Sequence, residues 1–145
     1  MRDDGFHSAF EQVALYVHIP FCKAKCRYCG FYSEPIANHD SGRLVSAILK
    51  EMSRYDLGRA VKTVYIGGGS PSCLPAEQLL QLVRECPTAE EFTIEVNPGQ
   101  TNEKIVGQLR RLGVNRLSIG SQSFTQSELD FLGRSHKVDC IGRAV

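Results

Sequence analysis

Two hydrophobic periodicities alternate along the chain. Ala14-Leu15-Tyr16-Val17-His18-Ile19 is a short apolar run stopped by Pro20, which predicts a strand. From Leu44 to Met52 the residues Leu44, Val45, Ile48, Leu49 and Met52 fall at helical spacing, and Asp40 or Ser41 can cap the start. Val61 to Ile66 predicts a second strand, ended by Gly67-Gly68-Gly69. Pro75 then stands at the first turn of a helix carrying Leu79, Leu80, Leu82 and Val83. Phe92 to Val96 predicts a third strand, closed by Asn97-Pro98-Gly99. Thr101 is the expected N-cap of a helix with Ile105, Leu109 and Leu112, and Gly113 closes it. Arg116 to Ile119 predicts a fourth strand. Thr125 and Glu128 have capping-box spacing for a last short helix containing Leu129 and Leu132.

Strands alternating with helices predict an α/β fold of βα units around a parallel sheet. Its strands are expected to carry apolar side chains on both faces. In this class ligands gather at the carboxyl ends of the strands. The chemically notable segments fall there. Cys22, Cys26 and Cys29 follow the first strand, the glycines follow the second, Glu95 lies near the end of the third and Gln122 follows the fourth.

At 145 residues the chain suits one compact domain. A formal net charge of +1 gives no electrostatic case for nucleic acid or an anionic membrane. No apolar run approaches the length of a membrane span. The segment Met1 to Phe10 lacks the basic-then-apolar pattern of a secretory signal, so a cytoplasmic setting is expected. There, clustered cysteines are metal ligands more often than disulfides. The remaining cysteines, Cys73, Cys86 and Cys140, are scattered and read as small buried apolar residues.

Cys22-x-x-x-Cys26-x-x-Cys29 shares a loop with Lys23, Lys25 and Arg27. Thiolates are the usual protein ligands of iron–sulfur clusters, and neighbouring cations favour the thiolate. Three local cysteines can hold three irons of a four-iron cluster and leave the fourth open. Two other readings stay open on spacing alone: a Cys₃His zinc site completed by His18 or His39, and three unligated thiols.

The stretch from Tyr16 through His18-Ile19-Pro20-Phe21-Cys22 to Cys26, Tyr28, Cys29 and Phe31 resembles the radical SAM (S-adenosylmethionine) superfamily. More narrowly it resembles the oxygen-independent coproporphyrinogen III oxidase family and its heme-chaperone (HemW) branch. Further segments match in order. They are Tyr65 to Ser72, Thr93 to Pro98, Gly113 to Phe124 with Gln122, and Leu132-Gly133-Arg134-x-His136. The resemblance implies a partial TIM-type barrel, a [4Fe-4S] cluster on Cys22, Cys26 and Cys29, and SAM on the open iron. Reduced cluster would cleave SAM to a 5′-deoxyadenosyl radical, so an electron donor is implied. The small-molecule partner would be heme or a porphyrin.

By the same resemblance Gly68, Gly69 and Ser70 meet the methionine end of SAM, with Ser70 where the family usually has threonine. The glycines are also compatible with a tight turn alone. Glu95 is a charge in an otherwise apolar strand, and a buried carboxylate needs a partner. That partner would be a SAM group or, failing that, a core arginine. Tyr16 would contact SAM or simply pack in the core. Tyr28, between two ligands, would shield the cluster and stack on adenine. Gln122 and Arg134 match positions lining a second SAM site; a solvated loop glutamine and a surface arginine are the plainer readings. His18 and His136 match family motifs without an assigned role.

Two departures shape the expectation. The oxidase branch typically has a fourth cysteine two residues after the third, and Phe31 holds that place here. This favours heme handling over oxidative decarboxylation of coproporphyrinogen III. A zinc-binding module without catalysis is the alternative of another class. The second departure is length. Residues 1–145 would form a truncated radical SAM core of about four βα units. The remaining strands, the C-terminal domain and the HNxxYW-type heme motif would lie outside it. Such a piece is expected to be marginally stable and inactive alone, with the edge of its fourth strand unpaired.

Overall fold

A computed structural model describes residues 12–57 and 61–144. Its framework is a parallel sheet of β1 (Val13–Ile19), β4 (Val61–Gly68), β5 (Glu91–Val96) and β6 (Arg116–Ile119), paired in that order. Between β1 and β4 lie two dipeptide strands, β2 (Phe21–Cys22) and β3 (Glu34–Pro35), and helix α1 (Ser41–Met52). Helix α2 (Ala76–Glu85) joins β4 to β5, and α3 (Glu103–Arg111) joins β5 to β6. Two short helices follow, α4 (Gln126–Leu132) and α5 (Val138–Gly142).

One face of the sheet is apolar. Val17, Ile19, Val64, Ile66, Phe92 and Ile94 are buried there with Val45 of α1, Leu79, Leu82 and Val83 of α2 and Leu109 of α3. The other face is not apolar, contrary to the sequence expectation. Tyr16 pairs with Tyr65, Tyr65 with Thr93 and Thr93 with Arg116. Farther along, His18 pairs with Gly67 and Glu95 with Ser118. Because side chains alternate along a strand, a register that sends Val17 and Ile19 into the core sends Tyr16 and His18 to the opposite face. That face carries the polar side chains.

The helix ends show what the pattern missed. Asp40 caps α1 by accepting from the Arg43 amide at 3.0 Å, an interaction worth about 1 kcal/mol. Asn102, not Thr101, caps α3, accepting from the Ile105 amide at 3.0 Å. The helix starts one residue later than expected, and Asn is the stronger cap. Pro75 precedes α2 as its N-cap residue and is not within the first turn. Thr125 occupies the N-cap of α4 without a capping side-chain bond. The expected partner Glu128 takes the Ser123 hydroxyl, whose oxygen in turn accepts from the Thr125 amide at 3.0 Å. Cys73 and Cys86 are partly buried against the core, and burial pushes both thiols up to about 12. Cys140 is partly buried outside that core, with Arg143 Nη2 at 3.7 Å from its sulfur. The ion pairs Lys62 with Glu90 and Arg116 with Glu91 are well exposed and add little stability.

His136 follows α4 and is buried. Burial, reinforced by the Arg134 charge, pushes its pKa below 6.5 against an upward pull from the Ser121 backbone. A folded-state value below the unfolded one means that stability is complete above pH 6.5 and is lost as pH falls through the folded value. The chain is expected to unfold at lower urea concentration at pH 5.5 than at pH 7.5. His136→Asn should flatten that difference, and an unchanged slope would remove His136 as its source.

Candidate metal centre

The sequence-selected residues meet at the carboxyl end of the sheet. Tyr16, Cys22, Cys26, Tyr28, Cys29, Gly68, Gly69, Ser70, Glu95, Gln122 and Arg134 all line one cavity of about 440 Å³. The cysteine loop forms one wall. The Cys29 amide donates to the Cys26 carbonyl at 3.2 Å, which turns the loop between these two residues. Its neck is tied where the Glu34 amide donates to Pro20 O at 2.8 Å and β2 pairs with β3. Burial raises the Cys22 thiol; the Ser33 hydroxyl lowers it, Cys26 and Cys29 raise it, and Arg134 lowers it.

The three glycines are required first by the protein itself. The Gly69 amide donates to Ile19 O at 2.8 Å, and a Cβ on Gly69 would sit 2.5 Å from Phe21 O. Gly68 has φ +117°, and a Cβ there would lie 2.7 Å from the His18 ring. A Cβ on Gly67 would meet Tyr65 Cε1 at 2.6 Å and Glu95 Oε2 at 2.9 Å. The amides of Gly68 and Gly69 are engaged within the protein, by Glu95 Oε2 and Ile19 O. What the glycines do is bring β1 and Cys22 against the end of β4.

Glu95 is only partly buried, and its protein partners are not the core arginine of the plainer reading. The Tyr65 hydroxyl donates to Oε1 at 2.6 Å and the Gly68 amide to Oε2 at 3.0 Å. Burial comes first and the Glu95 bond second in raising the Tyr65 pKa. Tyr16 is 56 % exposed, so it does not pack in the core. Its hydroxyl lies 3.0 Å from His18 Nδ1, and burial followed by the Glu95 charge raises its pKa. Tyr28 is half-exposed at the cavity, and its pKa is raised by burial against the pull of Arg134.

Ser70 lines the cavity, yet its hydroxyl works inside the wall. Ser70 and Ser72 donate to Gln100 Oε1 at 2.9 and 2.7 Å, and Asn97 Nδ2 donates to Ser70 Oγ at 2.9 Å. Asn97 and Gln100 belong to this network and were not singled out from sequence. Single polar residues after a strand carry no periodic signal. Gln122 holds φ 70°, a left-handed conformation unusual for a residue with a side chain and one that collects at functional sites. Arg134 is not a surface arginine. Its Nη1 donates to Cys26 Sγ at 3.2 Å, and its Nη2 donates to Asn97 Oδ1 and to Gly120 O at 2.6 Å.

These residues fit a thiolate-held cluster with a small polar ligand beside it. The donor set is three cysteines on one loop, facing a carboxylate. Arg134 Nε is buried with no hydrogen-bond partner, a donor left over in the cavity wall. Among the described residues no three His, Cys, Asp or Glu side chains, the three cysteines included, stand close enough to hold one metal ion. His39 stacks on Phe21 at 5.3 Å, and His18 is engaged by Tyr16.

A model of the radical SAM superfamily matches residues 16–145. The chain belongs to the radical SAM superfamily. Within it the chain groups with HemN-like proteins and their HemW branch. It is 44% identical over 136 residues to the heme chaperone HemW of Escherichia coli, covering 86% of this chain and 35% of that protein. It is 35% identical over 129 residues to HemW of Lactococcus lactis, covering 85% and 34%. Among solved structures, the radical SAM enzyme coproporphyrinogen III oxidase (HemN) of Escherichia coli superposes with a TM-score of 0.77 at 30% identity. That superposition covers 90% of this chain and 32% of the oxidase. The radical SAM chain thus spans about a third of the length of the relatives it matches, and its four-stranded parallel sheet corresponds to part of their barrel. Among the described residues no helix is long and apolar enough to cross a membrane.

Proposed function

We propose that the chain is the cluster- and SAM-binding part of a HemW-like heme chaperone. The observation that carries this reading is the single cavity shared by Cys22, Cys26, Cys29, Glu95, Gln122 and Arg134, with Phe31 exposed at its rim where a fourth cysteine would stand. Cys22, Cys26 and Cys29 would hold the [4Fe-4S] cluster, and Glu95, Tyr16, Tyr28 and Gln122 would face SAM. Bound there, cluster and SAM supply one-electron chemistry that protein side chains lack. Glu95 is held in place by Tyr65 and Gly68 and can accept from an amino or hydroxyl group of the ligand. Tyr28 and Phe31 line the same cavity as the thiol loop. A one-electron donor and heme are the partners this reading requires. The solved oxidase neighbour keeps coproporphyrinogen III oxidation as the second reading.

The test is anaerobic reconstitution with iron and sulfide, followed by metal analysis and electron paramagnetic resonance with and without SAM. About four irons per chain and a spectrum that changes on adding SAM are expected. A spectrum indifferent to SAM would count against the open iron. Stoichiometric zinc in place of iron would favour a zinc module. Hemin titration of the protein that contains this chain separates the two tetrapyrrole readings. Heme retention without turnover of coproporphyrinogen III supports the chaperone, and turnover supports the oxidase.

A further inference from the structure

We propose that Leu132–Arg134, at the end of α4, is a clasp that sets the position of the cysteine loop, with Arg134 a positioning residue for Cys26. The inference rests on the reading that the three cysteines hold a cluster. Three hydrogen bonds between segments far apart in sequence carry it, with a close approach at Gly133. The Arg27 amide donates to Leu132 O at 3.1 Å. Arg27 Nη1 donates to Phe131 O at 3.3 Å. Arg134 Nη1 donates to Cys26 Sγ at 3.2 Å. Gly133 lies between these anchors with φ +70°, and a Cβ on it would sit 3.2 Å from Arg27 Cγ.

The chemistry explains why each partner is there. A helix leaves its last carbonyls unpaired and its C-terminus partly negative, so a guanidinium fits at that end. Arg27 takes two such carbonyls of α4 while standing between two of the cysteines. The left-handed Gly133 turns the chain sharply, and this aims Arg134 back under the loop. Arg134 is itself braced. Its Nη2 is held by Asn97 Oδ1 and Gly120 O, and Asn97 is oriented by its bond to Ser70. One rigid fork therefore ties a cysteine sulfur to the ends of β5 and β6. Lysine cannot reproduce that planar, multi-donor geometry. Hydrogen bonds to sulfur and nearby positive charge are among the factors that set the potential of an iron–sulfur cluster.

Two measurements test this on the whole chain. In the iron-free protein, Arg134→Gln and Arg27→Ala are each expected to speed amide exchange across residues 23–33 by about tenfold, with the β4 and β5 amides unchanged. In the reconstituted protein, Arg134→Gln is expected to lower the one-electron reduction equilibrium about tenfold, equivalent to ~59 mV. Arg27→Ala removes a nearby positive charge but no donor from sulfur, so it should lower that potential less than Arg134→Gln does, and Arg134→Lys should restore it only in part. Unchanged loop exchange in both variants would overturn the clasp. Changed exchange with an unchanged potential in Arg134→Gln would overturn the action on Cys26. Should Arg134→Gln unfold the sheet, Arg27→Ala and Gly133→Ala decide by loop exchange alone. A wild-type chain that takes up no iron would sink the cluster reading, while the exchange arm still judges the clasp.

Discussion

Cys26→Ser is expected to abolish cluster retention, taking reconstituted protein from about four irons per chain to almost none. The same outcome is expected for Cys22→Ser and Cys29→Ser. With only three thiolates available in the loop, losing one leaves a second iron without a protein ligand, and a hydroxyl is a poor replacement for soft sulfur. The other cysteines supply the control. Cys73 and Cys86 have thiols held up to about 12 by burial, so they stay protonated at neutral pH. Cys73→Ser, Cys86→Ser and Cys140→Ser should keep their iron. Iron and sulfide analysis with visible absorbance reads the difference. Equal loss from Cys73→Ser and Cys26→Ser would mean that iron sits elsewhere.

Gly69→Ala is expected to destabilise the fold by about 3 kcal/mol, roughly 10 °C in Tm. The added methyl would lie 2.5 Å from Phe21 O, 2.8 Å from Phe21 C and 3.0 Å from Cys22 Sγ. Two of these are backbone atoms, so no flexible side chain can yield. The Gly69 amide is bonded to Ile19 O and the Ser70 amide to Phe21 O at 2.7 Å, so separating the strands to relieve the clash strains both bonds. Gly113→Ala is the contrast. Its Cβ meets nothing within 4 Å, and its cost comes only from φ +100°. Urea unfolding of the two variants should rank Gly69→Ala well below Gly113→Ala. The reverse order would show that the close approach of β1 to β4 is not required.

The strands were legible because Val, Ile and Phe cluster in short runs broken by Gly and Pro. Each of the four main strands was placed within a few residues. The two-faced sheet was misread. Tyr16, Tyr65 and Thr93 look compatible with an apolar strand by composition, and only register shows that they line up across the sheet on the open face. Residues of the site were legible by chemical type at strand ends, and the structure brings them to one cavity. Their partners were not. Nothing in the sequence ties Arg134 to Cys26, 108 residues earlier, or Glu95 to Tyr65. The role of the glycine triplet was also hidden, since crowding by Phe21 and His18 is a tertiary fact. The short strands β2 and β3 are too brief to leave a pattern.

Those two strands change how metal affinity and folding relate in this chain. In many small metal-binding domains the unloaded chain is unfolded, and the energy of metal capture is spent on folding. Here the segment bearing the thiols is tied at its neck by the pairing of Phe21 with Glu34 and Cys22 with Pro35, bonds that involve no metal. The hydrophobic core lies on the other face of the sheet. If the three cysteines hold a cluster as proposed, its loading and loss would be local events in about a dozen residues, at the end of a sheet whose core is built without metal.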